Sequence, residues 1–353
     1  MAAPTRPSSS APAPDLTLLN RFLPRGALIW GLLALALLAA GAGFGARMYA
    51  RAVWERPGPL LAARAIVVPH GGIALVAASL AESGAIDTAA YFRIAAWLTR
   101  DGGALRAAEF EFPAHASLRQ VLALLRTGHP VEHRVTIPEG LTAYQIANIL
   151  NHTDVTTGPT GPIEEGSVLP STYSYEYGMS RTAILTRARA AMDRELTSAW
   201  NERAANLPLA SSRDALILAS IVERETARPE ERSHVAAVYL NRLKAGMRLQ
   251  ADPTVAYAAS EGTGTLDHRL TRIELERDSP FNTYRNGGLP PGPICSPGPA
   301  SLRAVTHPMQ SDDLYFVADG SGGHVFARTR EAHERNVAQW RALTMPVPPR
   351  RPE

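Results

Sequence analysis

Ser-Arg-Asp-Ala-Leu-Ile-Leu-Ala-Ser-Ile-Val-Glu-Arg-Glu-Thr, residues 212–226, reads as one helix, with Ser212 or Asp214 as its N-cap. Its aliphatic run ends on Glu223. A carboxyl group held against apolar surface loses hydration, which disfavours the charged form and raises its pKa. Such an acid keeps a proton at neutral pH and can deliver it to a leaving group. The competing reading is a solvated helical acid. Glu225, two residues on, points to nearly the opposite side of the helix, so the two cannot act as a cooperating pair.

Working outward, Arg181–Leu196 precedes this helix as another, and Pro229 opens a further one to Leu243. From Met247 to Ser301 the texture changes to turns such as Asp252-Pro253, Ser279-Pro280 and Pro290-Pro291-Gly292-Pro293, the texture of a binding surface. Asp313–Phe326 reads as a hairpin and Thr329–Leu343 as a last helix. Upstream, the strand Val135-Thr136-Ile137 ends in the turn Pro138-Glu139-Gly140, Thr142 caps the helix Ala143–Asn151, and 153–168 form a loop. These segments make one unit over 131–345. A smaller unit, 65–130, has strands at Ala65–Val68 and Ala107–Phe112. Its helices are Ile73–Ser83, Tyr91–Leu98 and Ser117–Arg126, the last capped by Ser117 and closed by Gly128.

Residues 26–46 carry no charge and are rich in Leu and Ala. At about 1.5 Å per residue they span the roughly 30 Å of a bilayer's hydrocarbon. A cleaved signal peptide is the competing reading. Flanking arginines (Arg21 and Arg25 before, Arg47, Arg51 and Arg56 after) leave the positive-inside count near a draw. The expected order is a disordered cytoplasmic tail (1–25), a transmembrane helix (26–46), a linker (47–64), the two units, and a tail (346–353). The fold class is α+β: an N-terminal transmembrane helix, a small α+β subdomain and a larger mixed α/β domain.

Of 353 residues 45% are apolar and the formal charge is only +3, with Lys244 the sole lysine. No Lys/Arg block marks a nucleic-acid footprint. Cys295 is alone, so it makes no intramolecular disulfide. His307, His324 and His333 lack the spacing of a helical zinc pair, and Ser220 is not in a Gly-x-Ser-x-Gly elbow. Two polar clusters stand out in the turn-rich stretch. Gln250-Ala251-Asp252-Pro253-Thr254 suits sugar hydroxyls, or a cap by Asp252 on a helix over Thr254–Ser260. Asn282-Thr283-Tyr284, on a proline-stiffened loop, suits amide hydrogen bonds and ring stacking, or an ordinary Asx-turn.

In this order these clusters resemble the YceG-like family of endolytic murein transglycosylases. The resemblance rests on Ile137–Gly140, Glu165-Gly166 with Leu169–Tyr173, Ala219–Thr226, Asn241–Leu243 and Gly246–Thr254. It continues through Asn282–Tyr284, Gly288–Ile294, Pro297-Gly298, Leu314–Gly320 and His324–Phe326. It implies a single-pass anchor in the inner (cytoplasmic) membrane, a LysM-like subdomain at 65–130 and a YceG-like catalytic domain at 131–345 in the periplasm. It implies cleavage of the β-1,4 bond between N-acetylmuramic acid and N-acetylglucosamine in nascent peptidoglycan strands. The catalytic acid falls on Glu223. Gln250, Asp252, Thr254, Asn282 and Tyr284 match substrate-binding positions, and Ser220 and Glu225 supporting ones. No metal or cofactor is implied; penicillin-binding protein synthases are the implied partners. Two departures are visible. Ala-Ala-Glu-Phe-Glu-Phe (107–112) stands where Gly-x-Tyr is usual, leaving the small module a glycan-binding or a packing role. Ser171 replaces an acid at an expected turn.

A lone acid fits this chemistry, because the attacking C6 hydroxyl belongs to the substrate. Two rivals remain: a hydrolytic muramidase with Asp252 activating water, and a non-catalytic glycan-binding scaffold.

Overall fold

Glu-Phe-Glu-Phe alternates, and alternation decides where the first core lies. The computed structural model describes residues 25–344, and the expected terminal tails lie outside them but for Arg25. The chain divides into two compact units, Met1–His129 and Pro130–Glu353.

In the first unit, α1 (Arg25–Glu55) is one continuous helix. It is the only helix among the described residues long and apolar enough to cross a membrane. The linker expected from residue 47 is therefore helical as far as Glu55; no proline interrupts the chain between Arg25 and Pro57, and Trp54 packs on the core. Strand β1 (Arg64–Val67) pairs antiparallel with β2 (Glu109–Phe112), Ile66 opposite Phe110. Phe110 and Phe112 are fully buried while Glu111 points out, as a period of two requires. Helices α2 (Ile73–Glu82), α3 (Ala89–Leu98) and α4 (Leu118–Thr127) close the core with Leu80, Phe92 and Leu122. Ser117 caps α4 reciprocally with Gln120, as read from the sequence.

The second unit holds two hydrophobic clusters. Strand β3 (Glu132–Ile137) pairs antiparallel with β4 (Ser171–Glu176), burying Val135, Ile137, Tyr173 and Tyr175 against α5 (Ala143–Asn151) and the start of α6 (Arg181–Asn201). Ser171, expected at a turn, instead opens β4 opposite Ile137. The larger cluster surrounds α7 (Ser212–Glu225), whose residues Ala215–Val222 are all buried. Its neighbours are α6, α8 (Arg232–Lys244), α9 (Asp252–Ala259) and α11 (Pro299–Thr306). A short α10 (Arg272–Leu275) lies between the last two. The cap of α7 is Ser211, not Ser212 or Asp214 as expected. Its hydroxyl accepts from Asp214 N, and the Asp214 carboxylate accepts from Ser211 N at 3.0 Å. The hairpin β5 (Tyr315–Ala318) and β6 (His324–Ala327) and helix α12 (Arg330–Thr344) complete the chain.

Candidate active site

The site forms where α7 runs out of core. Glu223 is the first residue after the buried run, and its side chain is only 4% exposed. Oε1 accepts from Arg232 Nη2 at 3.0 Å, and Oε2 accepts from the backbone N–H of Gly298 at 2.8 Å. Arg232 opens α8 just after a tight turn at Pro229–Glu231, and Gly298 caps α11. The same Nη2 donates to Glu139 Oε2 at 3.4 Å, so two carboxylates share one guanidinium, Glu139 on the more open side. A Cβ at position 298 would fall 1.8 Å from Glu139 Oε1, so a side chain there would displace Glu139. Gly140, with φ +76°, turns the chain beneath α7, where a Cβ would meet Glu223 Cγ at 3.7 Å. The apolar setting expected for Glu223 is thus replaced by an ion pair and a helix N-terminus.

Desolvation acts on the second acid. Glu225 is pushed up to about 7, chiefly by burial; the Asp252 charge adds to this, while the Tyr239 hydrogen bond and Arg242 oppose it. Tyr239 donates to Glu225 Oε2 at 2.9 Å. The expected substrate-binding residues Asp252 and Tyr284 gather on this side: Tyr284 OH donates to Asp252 Oδ1 at 2.5 Å, and both bear electrostatically on Glu225. Burial, and then that bond, raise the Tyr284 phenol. Asp252 does not cap α9. The helix begins at Asp252 itself with Ala251 as N-cap, and the carboxylate is engaged by Tyr284.

The remaining expected residues divide by burial. Gln250 is exposed, in a left-handed turn with φ +49°, and its N–H donates to Thr283 O. Thr254 is buried and bonds Ala251 O and Thr283 Oγ1. Asn282 is buried too. Its amide donates to Leu275 O and Arg277 O, and its Oδ1 accepts from Tyr284 N at 3.0 Å. Thr254 and Asn282 therefore hold the loop that presents Asp252 and Tyr284. Ser220, fully buried, donates to Ile217 O and accepts from Ile294 N, fixing the segment that leads to Gly298.

Sequence reasoning missed Arg232 and Tyr239, which no motif singled out, and Glu139, quoted only within its turn. A signal for Glu139 existed: it stands in the turn that closes β3. Arg232 Nε, Ser296 Oγ and Ser301 Oγ are buried and have no hydrogen-bond partner within the protein. Among the described residues no cluster of three His, Cys, Asp or Glu side chains is placed to hold a metal ion.

Comparison with known proteins gives this arrangement its relatives. The model of the YceG-like family matches residues 66–339. A Streptococcus pneumoniae (serotype 2) protein named endolytic murein transglycosylase is 36% identical over 178 residues, 50% of this chain and 32% of that protein. One of the same name from Bacillus subtilis is 45% identical over 120 residues, 34% of this chain and 32% of that protein. The aligned part thus spans about a third (32%) of the length of these curated relatives. The crystal structure of a YceG-like protein from Listeria monocytogenes superposes with a TM-score of 0.46 at 28% identity, covering 77% of this chain and 98% of that one.

Proposed function

The chain belongs to the YceG-like family, and from that premise we propose that it is a membrane-anchored endolytic lytic transglycosylase. Its substrate is the glycan strand of peptidoglycan, cut between N-acetylmuramic acid and N-acetylglucosamine. In this reading residues 65–130 are a LysM-like subdomain and 131–345 the catalytic domain, placed in the periplasm by α1 in the inner membrane. Synthases of the penicillin-binding class are the partners whose nascent strands it cuts.

In its protonated form Glu223 gives its proton to the glycosidic oxygen as the bond to C1 breaks. The muramoyl C6 hydroxyl then attacks C1, and its proton returns to the Glu223 carboxylate, leaving a 1,6-anhydro end. Arg232 and the Gly298 N–H meet the carboxylate during the interval in which it carries charge. The observation that supports this reading is the fixing of both Glu223 oxygens, one by Arg232 and one by Gly298 N. Gln250, Asp252 and Tyr284 bind the strand, Thr254 and Asn282 hold their loop, and Ser220 and Glu225 support the acid.

A second reading is hydrolysis, and one contact favours it: Glu139 shares Arg232 with Glu223, which brings a second carboxylate beside the acid. Asp252 is less suited to activating water there, being bonded to Tyr284. Digesting purified peptidoglycan and weighing the fragments separates the two. Anhydro ends support the transglycosylase and reducing ends the muramidase. Glu223→Gln should lower turnover by about 10²–10⁴-fold; undiminished cleavage by that variant sinks both.

A further inference from the structure

Helix α3, Ala-Ala-Tyr-Phe-Arg-Ile-Ala-Ala-Trp-Leu, is apolar on both of its faces. Phe92, Ala95 and Ala96 enter the core of the first unit. Tyr91, Ile94, Trp97 and Leu98 lie outside it, from 39% to 65% exposed. A helix with two opposite apolar faces needs an apolar neighbour on each, and contiguous large apolar side chains mark a contact surface. Between this face and the end of α1 runs a groove of about 600 Å³, lined by Tyr49 and Trp54 from α1 and by Tyr91, Ile94 and Leu98 from α3.

The height of this groove identifies its occupant. Tyr49 OH lies 3.0 Å from Tyr91 OH, which ties α3 to α1 three residues beyond the last charge-free position, Ala46. Three residues of helix rise about 4.5 Å. The headgroup layer reaches roughly 5–8 Å beyond the hydrocarbon on each side. The exposed apolar face therefore starts at headgroup depth. Its charges fit as well: Arg47 and Arg51 line the α1 wall, Arg93 is exposed, and the Arg100 guanidinium stacks 5.5 Å over Trp97. Arginine beside Trp and Tyr suits anionic phosphates above acyl chains.

We infer that the outer face of α3 is seated in the headgroup layer of the bilayer that α1 enters, with phospholipid headgroups in the α1–α3 groove and their phosphates on the arginines. The small unit then lies on the membrane surface, tethered and oriented by it. This inference rests on reading α1 as the span, and the test keeps the two apart.

The full chain is reconstituted in vesicles of equal parts phosphatidylcholine and phosphatidylglycerol. Spin labels are placed one at a time by Ile94→Cys, Leu98→Cys, Leu37→Cys within α1, and Glu111→Cys on the exposed side of β2. The native Cys295 is buried and stays unlabelled. Collision rates with a water-soluble nickel chelate and with oxygen are then measured. Labels at 94 and 98 should meet the chelate several-fold less, and oxygen more, than the label at 111. Labels at 94 and 98 as wet as that at 111, with 37 dry, overturn the inference and leave the anchor standing. A wet label at 37 overturns both. Dipolar broadening between labels at 94 on different molecules assigns the face to a second copy and likewise overturns it.

Discussion

Glu223 and Glu225 leave the same helix end and meet opposite electrostatics, because what covers each side differs. Arg232 and the α11 N-terminus meet the first; the Tyr239 phenol and the Asp252 charge meet the second. Glu225 therefore holds a proton up to about pH 7 in the folded chain, against 4.5 for an ordinary glutamate. Below pH 4.5 both states are protonated and the shift has no effect on stability. As pH rises from 4.5 to 7 only the unfolded carboxyl ionises freely, so stability falls, by an amount on the order of 3 kcal/mol, and above 7 the fall levels off. Glu225→Gln keeps an acceptor for Tyr239 and should remove most of that fall. Denaturant melts at pH 5 and pH 8 test it, and equal pH slopes for the two proteins would defeat it. Arg232→Met leaves the buried Glu223 carboxylate unpaired and should cost about 3–5 kcal/mol. In a Glu223→Gln background most of that cost should vanish; a double-mutant cycle reads the difference. None of this was legible from residues 219–226, since helical spacing tells which way two side chains point but not which partners wait there.

At the scale of elements, α7 is the support on which the site stands, and its stability comes from burial on every side rather than from propensity. Leu218 is fully buried in the larger cluster, so Leu218→Ala should cost about 2–5 kcal/mol. Ile273, on the short α10, is 82% exposed, and Ile273→Ala should change stability by no more than about 0.5 kcal/mol. Equal losses in urea unfolding would mean that the packing around α7 is misassigned. Elements whose ends carry local chemistry were readable in advance. Ser117 and Thr142 cap α4 and α5 through reciprocal bonds with Gln120 and Gln145, and Gly128 closes α4. Two features were not. Strand β4 reads Ser-Thr-Tyr-Ser-Tyr-Glu, and its partner β3 lies beyond α5 and a long loop, so pairing at that distance leaves no local mark. The start of α9 was misread because a carboxylate before Pro253 can cap a helix or bind a distant phenol, and only the fold supplies Tyr284.

At the scale of the molecule, the second unit fills both of its hydrophobic clusters with its own residues, from Val135 to Phe326. Every group that holds or surrounds Glu223 also belongs to it: Glu139, Arg232, the Gly298 N–H and the Glu225 group. A protein begun at Pro130 and run to the C-terminus should therefore fold alone, with a cooperative thermal transition and a helical far-ultraviolet spectrum. If the proposed chemistry is housed in this unit, the fragment should also cut purified, soluble peptidoglycan at a rate within a few-fold of the full chain's in detergent. An anchored chain differs only in where it meets its strand, through the effective concentration of substrate at the membrane. A fragment that folds yet cuts nothing would show that the first unit completes the catalytic site. A fragment that does not fold would show instead that the second unit's own clusters are insufficient to hold α7 in place.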